Sequence, residues 1–238
     1  MSVRYSVVVP LKNEEENITD LVLELKPVMA NLKQPWELIC IDDGSTDNTR
    51  SILQDLSKKH PELRVIAFDG NYGQSSAFDA GFKHAKGEFV ITMDGDRQND
   101  PQDIPKLLNA IQDADLVCGA RLNRKDPPIK KITSYCANAI RSRFCKDGVR
   151  DTGCSLKVYR TSCLKNIKMF HGMHRFLPAL FLIEGFRVKE VPVNHRERVK
   201  GKTKYNFFNR SFNTISDMFA VRWMHKRRLN YQIEKELP

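Results

Sequence analysis

The chain has 238 residues, with 39 lysines and arginines against 29 aspartates and glutamates and a formal charge of +10. That length suits one domain with a sizeable core and is short for two, while the charge favours an anionic partner: nucleic acid, anionic lipid or a phosphorylated small molecule. No segment approaches the roughly 20 consecutive apolar residues of a membrane-spanning helix, so any membrane attachment is expected to be peripheral.

Met1 to Pro10 carries only the short apolar run Val7, Val8, Val9, which lacks a secretory core and reads as a buried strand. From there β-branched runs alternate with helical patterns: strand Tyr5 to Val9 with helix Glu14 to Leu32, then strand Glu37 to Ile41 with helix Asp47 to Lys59. The alternation continues with Arg64 to Phe68 before Ser75 to Ala85, and Phe89 to Thr92 before Pro101 to Ala110. Repeated strand–helix alternation predicts an α/β fold with a mainly parallel sheet flanked by helices. Beyond Asp115 the pattern predicts a strand from Leu116 to Gly119, a basic loop from Arg121 to Lys131 and a helix through Arg143. A helix from Phe176 to Glu184 and a strand from Arg187 to His195 follow. No low-complexity linker interrupts residues 1–205, which read as one domain; residues 206–238 read as an appended basic helix and tail.

The six cysteines include no C-x-x-C pair and read as reduced thiols of a cytosolic protein. Polar turns follow three strand ends: Pro10-Leu-Lys-Asn-Glu14, Asp42-Asp-Gly-Ser-Thr-Asp47 and Asp94-Gly-Asp96. Ligands of open α/β sheets bind outside the carboxyl ends of the strands, so these turns should converge. Asp94 and Asp96, one residue apart after a buried strand, can both face a hard divalent cation that bridges a diphosphate; Gln98 could add a neutral oxygen. An Asp-x-Asp triplet alone is common in solvated turns, and its position after an apolar strand is what raises the functional reading. Asp42 or Asp43 can accept from a base N–H or bind ribose hydroxyls, with Gly44 permitting the tight turn. The same segment also suits a helix N-cap, for which Asp47 is the best candidate.

In order and context these motifs resemble the family 2 glycosyltransferases of the GT-A, Rossmann-like fold. The residues that carry the likeness are Val7-Val-Val-Pro-Leu-Lys-Asn-Glu-Glu15, Ile41-Asp-Asp-Gly-Ser-Thr-Asp47, Asn71-Tyr-Gly-Gln74, Met93-Asp-Gly-Asp-Arg-Gln-Asn-Asp-Pro101, Asp151-Thr-Gly-Cys-Ser-Leu-Lys157 and His195 to Tyr205. The nearest look is that of dolichol-phosphate mannose synthase-like and bacterial polyprenyl-phosphate enzymes. The resemblance implies an inverting transferase that takes a UDP- or GDP-linked sugar to a polyprenyl phosphate at the cytoplasmic face of the membrane. It puts Pro10, Asn13, Glu14 and Asp42 or Asp43 around the nucleoside, Asn71, Gly73 and Gln74 beside the nucleotide, and Mg²⁺ or Mn²⁺ on Asp94, Asp96 and Gln98. Arg121 matches a position associated with substrate phosphate, and Arg198 and Lys204 match a basic loop that folds over the substrates.

Asp151 resembles a position proposed as a base in some members. A phosphate-monoester acceptor, with a second pKa of about 6, is already largely anionic and needs little deprotonation, so Asp151 is expected to orient Arg or Lys side chains instead. His174 and Arg175 are acceptor-side candidates, although a helix start with packed aromatics explains most of the likeness there. Two positions depart from the pattern. Gly95 replaces the usual middle alanine, harmlessly for ligation, and Arg97 replaces an apolar residue, where its charge could reach a phosphate or point to solvent, the solvent reading being favoured.

Between Phe207 and Trp223, apolar residues recur at Phe208, Phe212, Ile215, Phe219 and Trp223 beside Arg210, Arg222, His225, Lys226, Arg227 and Arg228. That reads as an interfacial helix on anionic lipid, with packing on the domain or on another subunit as the plain alternative. Many members of the family continue into membrane-spanning helices, so a separate membrane subunit or a homo-oligomer stays open. A glycosyltransferase acting on a hydroxyl of a glycan or protein, and a catalytically inactive nucleotide-sugar-binding subunit, are the competing readings. Nucleic-acid binding ranks last, because no aromatic platforms interleave with the basic residues and the acidic turns repel phosphate.

Overall fold

The computed structural model describes residues 2–121, 141–197, 207–229, 231 and 234–235. Among them, seven strands form one sheet: β1 (Tyr5–Leu11), β2 (Trp36–Asp42), β3 (Leu63–Ala67), β4 (Phe89–Thr92), β5 (Leu116–Arg121), β6 (Lys157–Arg160) and β7 (Val188–Val193), in the order β3-β2-β1-β4-β6-β5-β7. Of these, β6 runs against its two neighbours and the rest share one direction. Helices α1 (Ile18–Asn31), α2 (Thr49–Lys59) and α3 (Gln74–His84) make the crossovers between the first four strands, and α4 (Ile104–Ala110) leads into β5. The short α5 (Thr161–Leu164), then α6 (Leu177–Ile183) and α7 (Phe207–Arg227), complete the chain. The mainly parallel sheet predicted from the alternation is the one observed.

Alternate strand residues face opposite sides, so a strand covered on both faces is apolar throughout. Val7, Val9 and Leu11 of β1 pack with Leu38 and Cys40 against Ile18, Leu21 and Leu25 of α1, Leu53 of α2 and Leu107 of α4. Val8, Ile39 and Ile41 point the other way, onto Ala77 and Phe78 of α3 and Leu177 and Phe181 of α6. The chain winds from β1 outward to β2 and β3, and then α3 returns it to the other side of β1 as β4. The winding direction reverses between β2 and β4, so the crevice belongs beyond the carboxyl ends of β1, β2 and β4.

Helix α7 joins the domain through a third small core, in which its buried Val221, with Met218 and Met224, meets Cys145, Met173, Phe176 and Leu180. Ile215, Phe219 and Trp223 stay 53%, 62% and 63% exposed. The helix therefore packs on the domain through Val221 and leaves Ile215, Phe219 and Trp223 of the predicted stripe outside that contact, while the side chains of Phe208 and Phe212 lie outside the described residues. Among the described residues, no helix is long and apolar enough to cross a membrane.

Candidate active site

The turn after β1 begins helix α1 four residues later than the periodicity predicts, because its backbone N–H groups are spent across the crevice. Asn13 adopts a left-handed conformation (φ 51°), donates its N–H to Ser45 Oγ (2.9 Å) and accepts from Thr46 N–H at Oδ1 (2.8 Å). Glu14 N–H reaches Thr49 Oγ1 at 2.8 Å, and Glu15 N–H reaches Asp47 Oδ2 at 3.2 Å. Asp47 also accepts from Thr49 N–H at 3.0 Å, so it serves the first turn of α2 although Asn48 is the boundary residue. Burial pushes the Asp47 carboxyl up, but these bonds prevail and hold it below the usual range.

Asp42 and Asp43 end β2 with different tasks. Asp42 is fully buried and accepts from Ser45 N–H (3.0 Å) and Arg50 Nε (2.6 Å), while Arg50 Nη2 continues to the Phe68 carbonyl at 2.5 Å. Its carboxylate is an internal anchor that ties the Ser45 turn to Arg50. Asp43 accepts from the N–H groups of Tyr72 (2.6 Å) and Gly73 (2.9 Å), which holds the Asn71-Tyr-Gly-Gln74 turn at the head of α3. Gly44 sits at φ +66°, and a Cβ there would lie 2.5 Å from the Gly70 carbonyl carbon, so glycine is required where these two turns touch.

The third turn is joined to the others through side chains. Gln74 Nε2 donates to Asp94 Oδ1 (2.9 Å), and Asn99 Oδ1 accepts from both Asp94 N–H (3.0 Å) and Ser155 Oγ (2.7 Å). Asp96 Oδ1 accepts from Gln98 N–H at 3.1 Å, a short Asx turn that fixes its carboxylate. Burial, then the neighbouring Asp96 charge, push the Asp94 carboxyl above its ordinary value, against the Ser155 hydroxyl and the cations Lys157 and Arg121. A buried carboxylate with a second carboxylate charge beside it suits a hard divalent cation. Among the described residues no group of three or more His, Cys, Asp or Glu gathers as a metal site. A cation here would take one or two carboxylates and complete its shell with substrate phosphate oxygens and water, as Mg²⁺ commonly does.

At the other wall, Arg121 holds Asp151 through Nε (2.6 Å), Nη2 (2.8 Å) and its backbone N–H (3.2 Å). Burial pushes the Asp151 carboxyl up, but the Arg121 bonds and charge prevail and keep it below the ordinary carboxylate range. Lys157 is buried as well, its ammonium donating to the carbonyls of Thr152 and Cys154. Nearby thiols are inert: burial pushes Cys118, like Cys40, up to about 12.

Of the residues expected at the site, Asn13 and Glu14, Asp43, Gly73 and Gln74, and Asp94 and Asp96 lie along one connected set of turns, with half-buried Pro10 at the end of β1 beside them. Gln98 lends its backbone to that set: its N–H bonds Asp96 and its carbonyl accepts from Arg196 N–H at 3.0 Å. Arg198 and Lys204 lie outside the described residues. His174 Nδ1 is 2.7 Å from Ser75 Oγ, and Arg175 Nη1 donates to Thr214 of α7 at 3.2 Å, so both brace the α3 and α7 ends of the site. Arg97 corrects an expectation: it does not face solvent, because its guanidinium pairs with Asp20 at 2.5 Å and with Glu24. Arg50, Asn99, Ser155 and Lys157 went unassigned from sequence. Only the inclusion of Asn99, Ser155 and Lys157 in the quoted motifs hinted at them.

A switch-point crevice edged by a carboxylate pair is the layout of an α/β enzyme that handles a phosphorylated nucleotide. Residues 6–168 match the family described as Glycosyl transferase family 2, and the chain belongs to that family. It is 39% identical over 226 residues to a dodecaprenyl-phosphate galacturonate synthase of Rhizobium johnstonii, covering 92% of this chain and 67% of the relative. It is 35% identical over 217 residues to an undecaprenyl-phosphate 4-deoxy-4-formamido-L-arabinose transferase of Salmonella choleraesuis, covering 90% and 66%. The chain thus spans about two thirds of the length of these relatives. Its fold is shared with glucosyl-3-phosphoglycerate synthase from Mycobacterium tuberculosis, solved with Mn²⁺, uridine diphosphate and phosphoglyceric acid (TM-score 0.72, 19% identity, covering 92% of this chain and 78% of that one). A mannosyltransferase from Pyrobaculum calidifontis, solved with GDP-mannose and Mn²⁺, shares it too (TM-score 0.66, 20% identity, covering 92% and 64%).

Proposed function

We propose that this chain is an inverting glycosyltransferase that moves a sugar from a UDP- or GDP-linked donor to a polyprenyl phosphate, with Mg²⁺ or Mn²⁺ on Asp94 and Asp96. The observation that carries the choice of acceptor is the grip of Arg121 on Asp151. A hydroxyl acceptor needs a general base, and a carboxylate held below its ordinary range by a buried guanidinium is a weak one. A phosphate acceptor, with a second pKa of about 6, brings its own nucleophilic oxygen. The names of the two polyprenyl-phosphate relatives support the same acceptor class, and the Mn²⁺ complexes of the structural neighbours support the cation.

When bound, the cation neutralises the leaving diphosphate. Asp94 and Asp96 would hold it, with Gln98 as a further neutral oxygen, and Gln74 and Asn99 keep Asp94 aimed. Asn13, Glu14, Asp43 and the Asn71–Gln74 turn frame the nucleoside side beside Pro10. Arg121 presents a charge that Asp151 orients toward substrate phosphate. Arg198 and Lys204, by resemblance, add the cations that grip the diphosphate. The exposed Ile215, Phe219 and Trp223 with the basic end of α7 would rest on the anionic cytoplasmic face of a membrane.

The test is a panel of UDP- and GDP-sugars incubated with Mn²⁺ and polyprenyl phosphate, scored by the mass of the lipid product. A sugar-phosphate-lipid mass with one donor is expected. Transfer only to a glycan or protein hydroxyl moves the acceptor, and binding of nucleotide sugar without any turnover favours an inactive subunit.

A further inference from the structure

Arg97 sends its side chain from the Asp94–Asp100 turn to helix α1. Its backbone is left-handed at φ 61°, a conformation that strains an ordinary side chain. Its Nη1 and Nη2 bind Asp20 and Glu24, one turn apart on α1, and its side chain is 17% exposed. Among the described residues its buried Nε has no hydrogen-bond partner, a second local cost. Glycine or asparagine would serve the backbone more cheaply.

Glu24 is shared. Its second oxygen accepts from Arg196 Nη1 (2.6 Å), and Arg196 Nη2 reaches Asp100 Oδ1 (2.7 Å). Arg196 N–H bonds the Gln98 carbonyl, Asn99 bridges His195, and Asn194 donates twice to Asp103. The segment after β7 is therefore stitched to the residues that follow Asp96. Arg97 stands between Asp96 and Gln98, the two ends of the Asx turn that fixes the Asp96 carboxylate.

We infer that Arg97 is a positioning residue for the cation site: by spanning Asp20 and Glu24 it holds the left-handed turn that aims Asp96, and through Glu24 it sets that turn together with Arg196. This rests on the metal-dependent transferase reading above. It also explains why the Arg97 guanidinium, committed to Asp20 and Glu24, is unavailable to the diphosphate.

The experiment compares the full chain with Arg97→Ala, Arg97→Gly, Arg97→Lys and Glu24→Gln. Mn²⁺ binding is read by the spectroscopic signal of free Mn²⁺ in the presence of UDP or GDP, and melting temperature is read in parallel. Arg97→Ala and Arg97→Gly should each raise the Mn²⁺ Kd about tenfold, because glycine relieves the backbone but supplies no ion pair. Arg97→Lys, which can reach one carboxylate, should recover part of the loss, and Glu24→Gln should fall between. Full Mn²⁺ affinity in Arg97→Gly would make the turn a backbone matter and overturn the inference, as would a lower melting temperature with Kd within twofold in every variant. If the parent chain binds no Mn²⁺ with either nucleotide, the site reading itself fails, and the inference fails with it.

Discussion

Arg121 closes on Asp151 in a bidentate pair, Nε to Oδ2 at 2.6 Å and Nη2 to Oδ1 at 2.8 Å, joining the end of β5 to the loop before β6. Their side chains are 15% and 11% exposed, so each neutralises the other where water does little of it.

Asp151→Asn separates the two roles open to this carboxylate. The amide cannot act as a base but still offers Arg121 one oxygen. Transfer to polyprenyl phosphate should fall by about tenfold, roughly 1.4 kcal/mol of transition-state stabilisation, with the shape of its pH profile unchanged. Asp151→Ala leaves Arg121 without its counter-charge and should lose about 3–5 kcal/mol of stability, read as a lower denaturation midpoint. A folded Asp151→Asn protein with transfer down more than a thousandfold would make Asp151 the base and point to a hydroxyl acceptor.

Asp94 carries the opposite sign. Its carboxyl is raised by burial and then by Asp96, so the folded chain binds that proton more tightly than the unfolded chain does. Its contribution to stability is therefore lost as pH rises from the unfolded value of about 3.9 through the raised folded value, and at neutral pH the charge is a burden. Asp94→Asn keeps an oxygen for Gln74 and removes the charge. In metal-free buffer at pH 7 its melting temperature should rise by a few degrees, since ~1 kcal/mol corresponds to about 2–4 °C at this size. Mn²⁺ with nucleoside diphosphate should stabilise the parent and leave Asp94→Asn and Asp96→Asn unmoved, and both variants should lose transfer. Equal Mn²⁺ stabilisation of parent and variants in a thermal shift series would remove the cation from this turn.

The sheet and the catalytic turns were legible because each is local: apolar runs at strand length, followed by acidic turns at strand ends. Asp94, Asp96 and the Asp42–Asp43 pair could be placed at strand ends that way, without choosing between Asp42 and Asp43. The tasks of Asp42 and Arg97 could not, since they depend on partners far along the chain: Arg50 bridges Asp42 to the Phe68 carbonyl, and Asp20 and Glu24 draw Arg97 onto α1. A charge in a turn reads as solvated until a helix from elsewhere brings counter-charges to it. The same applies to α7, where periodicity found the stripe at Ile215, Phe219 and Trp223. The packed face around Val221 depends on Phe176 and Leu180 from a different helix.

Gly95, read from sequence as harmless to ligation, has a packing role. A Cβ on Gly95 would stand 2.3 Å from Leu11 Cδ2, and Leu11 is itself only 2% exposed at the end of β1. Gly95→Ala should cost about 1–3 kcal/mol through overpacking. Leu11→Val alone should cost about 1 kcal/mol, and the double variant should recover about 1 kcal/mol of the sum, measured as a coupling energy in urea denaturation. Additive costs within about 0.5 kcal/mol would mean that the turn shifts its backbone instead, in which case Mn²⁺ affinity should fall in Gly95→Ala.

The outer face of α7 predicts how the chain meets a bilayer. Ile215 and Trp223 are more than half exposed, while the helix keeps its hold on the domain through Val221 and through Arg222, whose Nη1 donates to the Phe144 carbonyl at 2.9 Å. Replacing the outer residues therefore leaves the packed face intact, so Ile215→Ser and Trp223→Ser should retain the parent's melting temperature. Each should weaken binding to vesicles containing phosphatidylglycerol by about tenfold, consistent with ~1.4 kcal/mol or more from one large apolar side chain. The basic residues His225, Lys226 and Arg227 of the last turn add an electrostatic part that fades with salt: binding should drop between 50 mM and 500 mM NaCl and be weaker still on neutral vesicles. Vesicle flotation with parent and variants indistinguishable would leave this face without a lipid role. Concentration-dependent dimerisation lost in the same variants would assign it to a second copy of the chain.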